Sequence, residues 1–329
     1  MLNYRAPWWL PGGHLQTIWA ARVCRVAAAR DAQPPRWTRE RWDTPDGDFI
    51  DLDWLADAAG RPQGGSTLLV SFHGLEGSSR SPYSASFAVA ARARGWACVV
   101  VHFRGCSGEL NRAPRAYHSG DHAEIDWILR RLAARQGQPV LAAGVSLGGN
   151  ALMRWAGAQG AAAASAARAV VSVCSPLDLA ASGDAMGQGF NRHVYTRMFL
   201  SSMKPKALQK LQQHPGLFDQ QRLLAARDLR AFDDVFTAPL HGFRDADDYW
   251  HRASAKPHLS AIRIPALAIN ALNDPFVPAW SLPQAAQVGP CVELWQPGAG
   301  GHAGFPAGAW PGHLGVMPRA VCDWLGRAG

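Results

Sequence analysis

The chain has 329 residues, of which 48% are hydrophobic and 18% are charged. This composition is that of a globular protein and excludes a disordered chain, and the length allows a large apolar core without disulfide bonds or a structural metal ion. Basic residues outnumber acidic ones by 33 to 25, a net charge of +8. The basic residues are scattered and no nucleic-acid motif accompanies them, so neither nucleic acid nor an anionic membrane surface is expected as a partner.

The six cysteines are irregularly spaced and form no CxxC pair, so we expect free thiols in a reducing compartment. Residues 1–29 lack the continuous apolar stretch of a signal peptide, because the polar turn sequence Pro11-Gly12-Gly13-His14 interrupts them. No run of about 18 apolar residues is long enough to span a bilayer. A cytoplasmic protein without stable membrane insertion is therefore expected.

From about residue 46 the chain alternates short apolar segments with amphipathic ones, which predicts a mostly parallel sheet covered by helices on both faces. In chain order the predicted strands are 49–55, 67–72, 96–103, 139–145, 169–174, 264–271 and 292–295, and the predicted helices are 82–94, 121–135, 147–157, 191–203, 206–213 and 316–325. Apolar and acidic residues alternate in 49–55, as is typical of an edge strand.

The alternation stops in residues 177–258, which contain helical stretches but no convincing strand. The expected organisation is an N-terminal arm over 1–45, an α/β core over 46–176 and 259–329, and a helical lid over 177–258. An insertion between two strands of such a sheet usually covers the carboxyl ends of the strands, where open α/β sheets bind ligands.

The sequence Gly144-Val145-Ser146-Leu147-Gly148 reads G-x-S-x-G between a predicted strand and a predicted helix. This is the context of a nucleophile elbow, in which a serine occupies a strained turn that exposes its hydroxyl. Side chains at the two glycine positions would collide with the neighbouring strand and helix. We therefore predict that Ser146 is a nucleophile.

Serine needs a general base, and the base needs an acid that orients it; in this arrangement they follow in the order Ser, Asp or Glu, His. His302 lies in a glycine-rich loop directly after the strand 292–295 and is preferred as the base over His313, near the last helix. Asp274 is the only carboxylate at the end of the preceding strand. Asp178 is the alternative acid, although its position also suits a helix N-cap.

A developing oxyanion needs hydrogen-bond donors. One is expected from the backbone N–H of Leu147, next to the nucleophile, and another from the backbone N–H of Leu75, in a loop that turns tightly after His73. The His73 side chain itself is either functional or merely packed. No metal ion or organic cofactor is expected, since His118 and His122 share one-turn spacing without an evident third ligand.

Five separated segments carry a family resemblance: HGLEGSSRSPY, HFRGCSGELNRAPRAYHSGD, GVSLGGN, NDPFVP and GGHAGF. With the N-terminal sequence Gly13-His14-Leu15-Gln16-Thr17, they make the chain similar to the YheT-like branch of the α/β-hydrolase superfamily from about residue 10 to the C-terminus. The resemblance implies the α/β-hydrolase fold, a Ser146–Asp274–His302 catalytic triad and esterase-like hydrolysis. Members are generally named as predicted hydrolases or esterases, and the wider family includes fatty-acyl ethyl-ester synthases and lipid hydrolases.

Within the second segment, the roles of Arg104, Ser107 and Glu109 stay open, and bracing of their loop is the structural alternative. In the lid, an apolar stripe at helical spacing is formed by Val194, Tyr195, Met198 and Phe199. It either lines an acyl-chain groove or packs the lid onto the core, and packing is the simpler interpretation. The lid residues Asp233 and Asp234 are expected to be solvated.

The sequence thus predicts a serine esterase that cleaves a small-molecule carboxylic ester through an acyl-enzyme, with medium-chain or lipid-like esters as the favoured direction. An acyltransferase that makes esters by alcoholysis with the same triad remains an alternative. A binding protein without catalysis on the same fold is less favoured, because no member of the triad is lost.

Overall fold

The structure is a computed structural model that describes residues 4–27 and 33–328. The strands found in these residues are β1 (Trp37–Asp43), β2 (Phe49–Leu55), β3 (Leu68–Phe72), β4 (Ala97–Val101), β5 (Val140–Val145), β6 (Ala167–Val173), β7 (Ala266–Ile269) and β8 (Val292–Trp295). All of them join one sheet in the order β1-β2-β4-β3-β5-β6-β7-β8.

Strands β3 to β8 run parallel to one another, whereas β2 is antiparallel to both of its neighbours, β1 and β4. Every residue of β3, β4 and β5 is buried. Parallel strands are covered on both faces, which explains why they appear in the sequence as continuous apolar segments. The predicted fold class, a mostly parallel sheet flanked by helices, is confirmed.

The helices in the described ranges are α1 (Gly13–Arg22), α2 (Pro82–Arg92), α3 (His122–Gln136), α4 (Leu147–Gln159), α5 (Leu179–Met186), α6 (Gly189–Asn191), α7 (Arg197–Gln213), α8 (Gln220–Ala225), α9 (Leu229–Val235), α10 (Thr237–Leu240), α11 (Ala246–Ala253) and α12 (Val316–Ala328). A π-helical turn (Arg192–Thr196) joins α6 to α7. Helices α3 and α4 contribute Ile128 and Leu152 to the core on one side of the sheet. On the other side, α2 and α12 contribute Phe87 and Leu325.

The N-terminal part of the chain contributes more to the sheet than the sequence indicated. Strand β1 lies within residues 1–45, which were assigned to an arm, and it forms one edge of the sheet. The prediction that β2 is an edge strand is therefore wrong. Its acidic residues are buried because arginines of β1 neutralise them: Arg41 pairs with Asp51 at 2.8 Å, and Arg39 pairs with Asp53 at 2.8 Å.

The loop after β4 is held by arginine–carboxylate contacts. The buried Arg104 guanidinium donates to three carboxylates, those of Asp46 (2.9 Å), Asp48 (2.8 Å) and Glu124 (2.6 Å). Two arginines of β1 donate to the Glu109 carboxylate (2.7 Å) and to the Ser107 carbonyl (2.6 Å). All three loop residues whose roles the sequence left open therefore contact neighbouring elements, as bracing of the loop requires.

Helices α5 to α11 lie between β6 and β7, and the two ends of this insertion meet. The backbone N–H of Lys256 donates to the carbonyl of Leu177 at 2.8 Å. The side-chain amide of Asn150, on α4, accepts from the Ala255 N–H and donates to the Ala253 carbonyl, both at 2.9 Å. The chain therefore leaves the core and returns to it at one point beside α4.

In residues 4–27 and 33–328, no helix combines the length and the apolar character needed to cross a bilayer. All six cysteines lie in this part of the chain and are free thiols. Three of them, Cys98, Cys174 and Cys322, are buried among apolar side chains and pack as small hydrophobic residues.

Asp48 carries a charge in the interior, and hydrogen bonds compensate its burial. Burial by itself raises the pKa of this carboxyl, but hydrogen bonds from Asn111, Arg112 and their neighbours outweigh it and lower the pKa to about 2. A depressed pKa in the folded state stabilises the fold at pH values above the unfolded pKa. This stabilisation is lost as the pH falls from about 4 to about 2.

We predict that Asp48→Asn lowers the free energy of unfolding near neutral pH by about 3–5 kcal/mol, because Arg104 loses a buried partner. The same substitution should make unfolding less sensitive to acid between about pH 4 and pH 2. Urea unfolding at several pH values measures both effects. Equal acid sensitivity in the wild type and the variant would contradict the role given to this carboxylate.

Candidate active site

Ser146 lies in the sharp turn between β5 and α4 and has a positive φ of 53°. Residues other than glycine rarely take this conformation, and here close backbone packing maintains it. A Cβ atom on Gly144 would lie 2.5 Å from the carbonyl oxygen of Gly148, and one on Gly148 would lie 2.5 Å from the carbonyl oxygen of His73. Both glycines of the G-x-S-x-G motif are therefore required by the turn.

The His302 imidazole lies between the side chains of Ser146 and Asp274. Its Nε2 atom is 3.0 Å from Ser146 Oγ, and its Nδ1 atom is 2.9 Å from Asp274 Oδ2. With the proton on Nδ1, the imidazole donates to the carboxylate and Nε2 accepts from the serine hydroxyl. The structure thus brings together the three side chains that the sequence singled out as nucleophile, base and acid.

The turn after β7 fixes the Asp274 carboxylate. Oδ1 accepts hydrogen bonds from the backbone N–H groups of Phe276 (2.8 Å) and Val277 (3.4 Å), and the Asp274 N–H donates to the Ala271 carbonyl (3.1 Å). The Phe276 ring also packs against the His302 imidazole, with centroids 4.2 Å apart. The same turn therefore orients the acid and restricts rotation of the imidazole.

The alternative acid and base lie elsewhere. Asp178 caps the N-terminus of α5 by accepting from the Ala181 N–H at 3.2 Å, which is the N-cap role that the sequence also allowed. His313 accepts from the Gly315 N–H at 3.2 Å through Nδ1. Among the described residues, neither side chain is hydrogen-bonded to the predicted nucleophile or base.

Two backbone donors next to Ser146 are free. The N–H groups of Leu75 and Leu147 donate no hydrogen bond to any residue in the part of the chain that the structure describes. Leu147 directly follows the serine, and the Leu75 loop approaches the same turn, because a Cβ atom on Gly74 would lie 3.1 Å from Ser146 Cβ. Free N–H groups in these positions can bind a developing oxyanion.

Tyrosine hydroxyls hold the loop that carries Leu75. Tyr83 Oη accepts from the Gly74 N–H, and Tyr117 Oη accepts from the Glu76 N–H, both at 2.9 Å. Glu76 has a positive φ of 56°, so the backbone is also bent at this point. These contacts fix the backbone before and after Leu75, whose own N–H has no acceptor among the described residues.

The His73 side chain has a packing role. It is fully buried, and burial lowers its pKa to about 3, so the imidazole is neutral. Nε2 accepts from the Phe103 N–H at 3.1 Å, while Nδ1 donates to the Gly74 carbonyl at 2.7 Å. Of the two interpretations that the sequence allowed for this side chain, the geometry favours packing.

A cavity of about 170 Å³ opens beside Ser146 and His302 and extends beneath the lid. Its wall is largely apolar and includes Leu75, Leu147, Leu179, Met186, Phe199, Met203, Leu229, Phe232, Phe236, Trp250, Phe276 and Val277. One ion pair, between Glu76 and Lys206 at 2.9 Å, also lies on this wall. Such a wall accommodates an apolar group next to the serine hydroxyl.

The predicted apolar stripe of the lid faces this cavity only in part. Phe199 lines it, and Tyr195 is buried against Phe276 with ring centroids 4.6 Å apart. Val194 and Met198 are 38% and 45% exposed. Adjacent helical residues point about 100° apart, so the four positions straddle the boundary between the inner and outer faces, and only Tyr195 and Phe199 are on the inner face.

The lid also differs from expectation at its acidic residues. Asp233 is buried beside the cavity rather than solvated, and burial raises its pKa to about 6. Its carboxylate accepts from Thr237 Oγ1 (2.6 Å) and from Trp250 Nε1 (2.8 Å). Asp234 accepts from the Ala246 N–H (2.7 Å). Both carboxylates therefore join lid helices to one another.

The side chains that orient the predicted catalytic groups were not predicted from the sequence. Phe276 stands two residues after Asp274 in the NDPFVP segment, and Tyr83 and Tyr117 stand in the two segments that precede the elbow. Their occurrence in the segments of the family resemblance was the available signal. Their contacts join loops that are distant in sequence, and residue spacing does not reveal such contacts.

Comparison with known proteins connects this geometry to a family. Residues 67–309 match the family described as the alpha/beta hydrolase fold. YheT of Escherichia coli (strain K12), provisionally named an esterase, is 40% identical over 95% of this chain and 89% of its own length. Phospholipase ABHD3 of Mus musculus is 30% identical over 89% of this chain and 72% of its own length.

A more distant relative is the medium-chain fatty acid ethyl ester synthase/esterase 2 of Saccharomyces cerevisiae (strain ATCC 204508 / S288c). It is 27% identical over 72% of this chain and 58% of its own length. Among solved structures, the Pyrococcus furiosus esterase Pf2001 matches with a TM-score of 0.55 over 93% of this chain and 98% of that chain. At 13% sequence identity this last similarity concerns the fold alone.

The two candidate acids can be separated by a matched pair of variants. We predict that Asp274→Ala slows labelling of Ser146 by a fluorophosphonate by about 10⁴-fold, because the imidazole loses the partner that holds its tautomer. Asp178→Ala should leave the labelling rate unchanged and cost about 1 kcal/mol of stability through the lost N-cap. Slow labelling of Asp178→Ala, or normal labelling of Asp274→Ala, would reverse the assignment of the acid.

Proposed function

This chain belongs to the α/β-hydrolase family, and on that premise we propose that it is a serine hydrolase that cleaves carboxylic esters. One observation carries the proposal. In the hydrogen-bonded series Ser146–His302–Asp274, the serine and the histidine line an apolar cavity, next to the N–H groups of Leu75 and Leu147, which have no acceptor among the described residues. The esterase names of its relatives support the same conclusion.

In the proposed first step, Ser146 Oγ attacks the carbonyl carbon of the ester while His302 Nε2 takes the hydroxyl proton. Asp274 keeps the other imidazole proton on Nδ1 and stabilises the imidazolium that forms. The carbonyl oxygen becomes negative and accepts hydrogen bonds from the N–H groups of Leu75 and Leu147. His302 then gives its proton to the leaving alkoxide, and the acyl group remains on the serine.

In the second step, water replaces the alcohol. His302 Nε2 takes a proton from the water, whose oxygen attacks the acyl carbon, and the same two N–H groups bind the second oxyanion. Breakdown of this intermediate returns the proton to Ser146 Oγ and releases the free acid. The cycle is complete with groups that this chain supplies and one water molecule.

We propose a medium-chain or lipid-like acyl group for the substrate, because the cavity wall next to the serine is largely apolar. Two relatives carry matching names, one a phospholipase and one a medium-chain ester synthase/esterase. We further propose that residues 177–258 act as a lid that selects the acyl group. The proposed nucleophile, base, acid and oxyanion donors all lie outside this segment.

A second candidate function is ester synthesis, in which an alcohol instead of water takes the acyl group. The name of the yeast relative, which includes both synthase and esterase, is the observation that favours it. The groups around Ser146 serve either acceptor. Product analysis with an added alcohol separates the two functions, because a transferase yields a new ester and a hydrolase yields the free acid.

The role of Ser146 as nucleophile is tested by removing its hydroxyl oxygen. We predict that Ser146→Ala lowers the turnover of p-nitrophenyl esters by several orders of magnitude, to a remainder due to substrate binding and the oxyanion donors. Ser201→Ala, on the exposed surface of α7, is the matched control and should keep wild-type turnover. A Ser146→Ala variant that keeps more than about a tenth of the turnover would exclude Ser146 as nucleophile.

Acyl-chain selection is tested at adjacent lid residues. Phe199→Ala removes a ring from the cavity wall, so we predict that the chain-length optimum shifts towards longer esters. One methylene in a hydrophobic pocket is worth about 1–3 kcal/mol, so relative kcat/KM values across a p-nitrophenyl ester series resolve the shift. Met198→Ala, on the outer face, should leave the profile unchanged. A destabilised Phe199→Ala variant with an unchanged profile would mean that this ring only packs the lid.

A further inference from the structure

Helix α1 buries two polar side chains and exposes the two apolar side chains beside them. Gln16 and Thr17 are 2% and 8% exposed, whereas the neighbouring Leu15 and Ile18 are 49% and 36% exposed. A helix that merely covered a core would have the opposite arrangement. Buried polar groups require hydrogen-bond partners, so the partners of Gln16 and Thr17 show what this face of the helix contacts.

Those partners are in the two loops that carry Asp274 and His302. Gln16 Oε1 accepts from the Gly300 N–H (2.9 Å) and from the side-chain amide of Asn273 (3.0 Å). Asn273 Oδ1 accepts in turn from the Gly301 N–H (3.0 Å). Asn273 directly precedes Asp274 in the chain. One glutamine oxygen therefore bridges the loop of the acid and the loop of the base.

Thr17 completes the arrangement at the base itself. Its Oγ1 atom accepts from the backbone N–H of His302 at 2.8 Å and donates its own proton to the Gly13 carbonyl at 2.7 Å. The N–H groups of three consecutive residues, 300 to 302, are thus all bound by side-chain oxygens from α1 or from Asn273. The backbone that presents the imidazole is fixed by side chains outside its own loop.

The backbones also lie too close together for the loops to shift independently. A Cβ atom on Gly13 would lie 1.8 Å from the Asn273 carbonyl oxygen. One on Gly301 would lie 2.8 Å from the Thr17 nitrogen, and one on Gly304 would lie 2.3 Å from Ala20 Cβ. Glycines on both sides of this contact are required for α1 to reach the loops.

The His302 loop needs such support because it contains no helix or extended strand of its own. Gly300, Gly301 and Ala303 all have positive φ values, of 153°, 62° and 59°, and the residues from 296 to 315 form no helix or extended strand. A glycine-rich loop has many accessible conformations, and a misplacement of about 1 Å in a reacting group can cost about 100-fold in rate.

We propose that Gln16 and Thr17 are positioning residues that set the distance and orientation of His302 relative to Asp274 and Ser146. The inference rests on the proposed function for its kinetic readout. It gives these two residues of the N-terminal sequence a role in the geometry of the site, although neither touches the reacting atoms.

The test compares two substitutions of Thr17. Thr17→Val keeps the shape and removes the hydroxyl, and Thr17→Ser keeps the hydroxyl and removes a methyl group. We expect Thr17→Val to lower kcat for a p-nitrophenyl ester by about 10- to 100-fold with KM unchanged. Thr17→Ser, which keeps the hydroxyl, should keep most of the wild-type kcat. Leu15→Ala, an exposed position on the same helix, is the control and should keep the wild-type kcat.

A spectroscopic readout separates this inference from the proposed function. In wild-type protein labelled with ¹⁵N-histidine, His302 should show a proton fixed on Nδ1. Thr17→Val should change or broaden the His302 signal, whereas Thr17→Ser should leave it close to that of the wild type. The signal does not depend on any substrate. If the wild type hydrolyses no ester while the signal responds as described, the proposed function fails and the positioning role stands.

Other outcomes overturn the positioning role. A folded Thr17→Val variant with wild-type kcat and a wild-type His302 signal would do so. So would a loss of kcat that only follows the loss of folded protein, measured by thermal unfolding, or a loss of equal size in Leu15→Ala. Should Thr17→Val fail to fold, Gln16→Met removes the bridge between the two loops, and the same two readouts decide the question.

Discussion

Close backbone packing around Ser146 is the constraint on which the rest of the site depends. The strained turn at this residue is maintained because Gly144 and Gly148 let β5, α4 and the end of β3 come into contact. Strands β3 and β5 are neighbours, so the loop that carries Leu75 arrives directly beside the serine. Strands β7 and β8 run parallel to them and deliver Asp274 and His302 to the same edge of the sheet. One topology therefore brings together the proposed nucleophile, acid, base and oxyanion donors from four separate segments.

The elements that follow local rules could be predicted from the sequence. Parallel strands are continuous apolar segments, and the elbow motif carries its own steric requirement, so both were recognisable. What failed depends on partners that are distant in sequence. The acidic residues of β2 suggested an exposed edge strand. They are buried instead, because Arg39 and Arg41 of β1 neutralise them. The burial of Asp233 and the contacts of Gln16 and Thr17 with the loops of Asp274 and His302 were not predictable for the same reason, because they too depend on partners elsewhere in the fold.

Core and lid contribute differently to the cavity, yet they are not independent. The core supplies the polar groups next to Ser146, and the lid supplies much of the apolar wall. Lys206 of the lid forms an ion pair with Glu76, the residue after Leu75. A movement of α7 away from the core would break this contact and remove one restraint from the loop that carries Leu75, a proposed oxyanion donor. This ion pair therefore couples the position of α7 to the geometry of the loop that carries Leu75.

The hydrogen bond between the two ends of the insertion, from Lys256 to Leu177, has an evolutionary consequence. A segment that departs from the core and rejoins it at one point can lengthen, shorten or be exchanged while the sheet keeps its register, because the distance that the core must bridge does not change. With the proposed role of residues 177–258 in acyl selection, changes confined to this one continuous segment would alter the preferred acyl group without changes to the core. Asn150 holds the returning end of that stretch through the Ala253 carbonyl and the Ala255 N–H, and so marks where it rejoins the core.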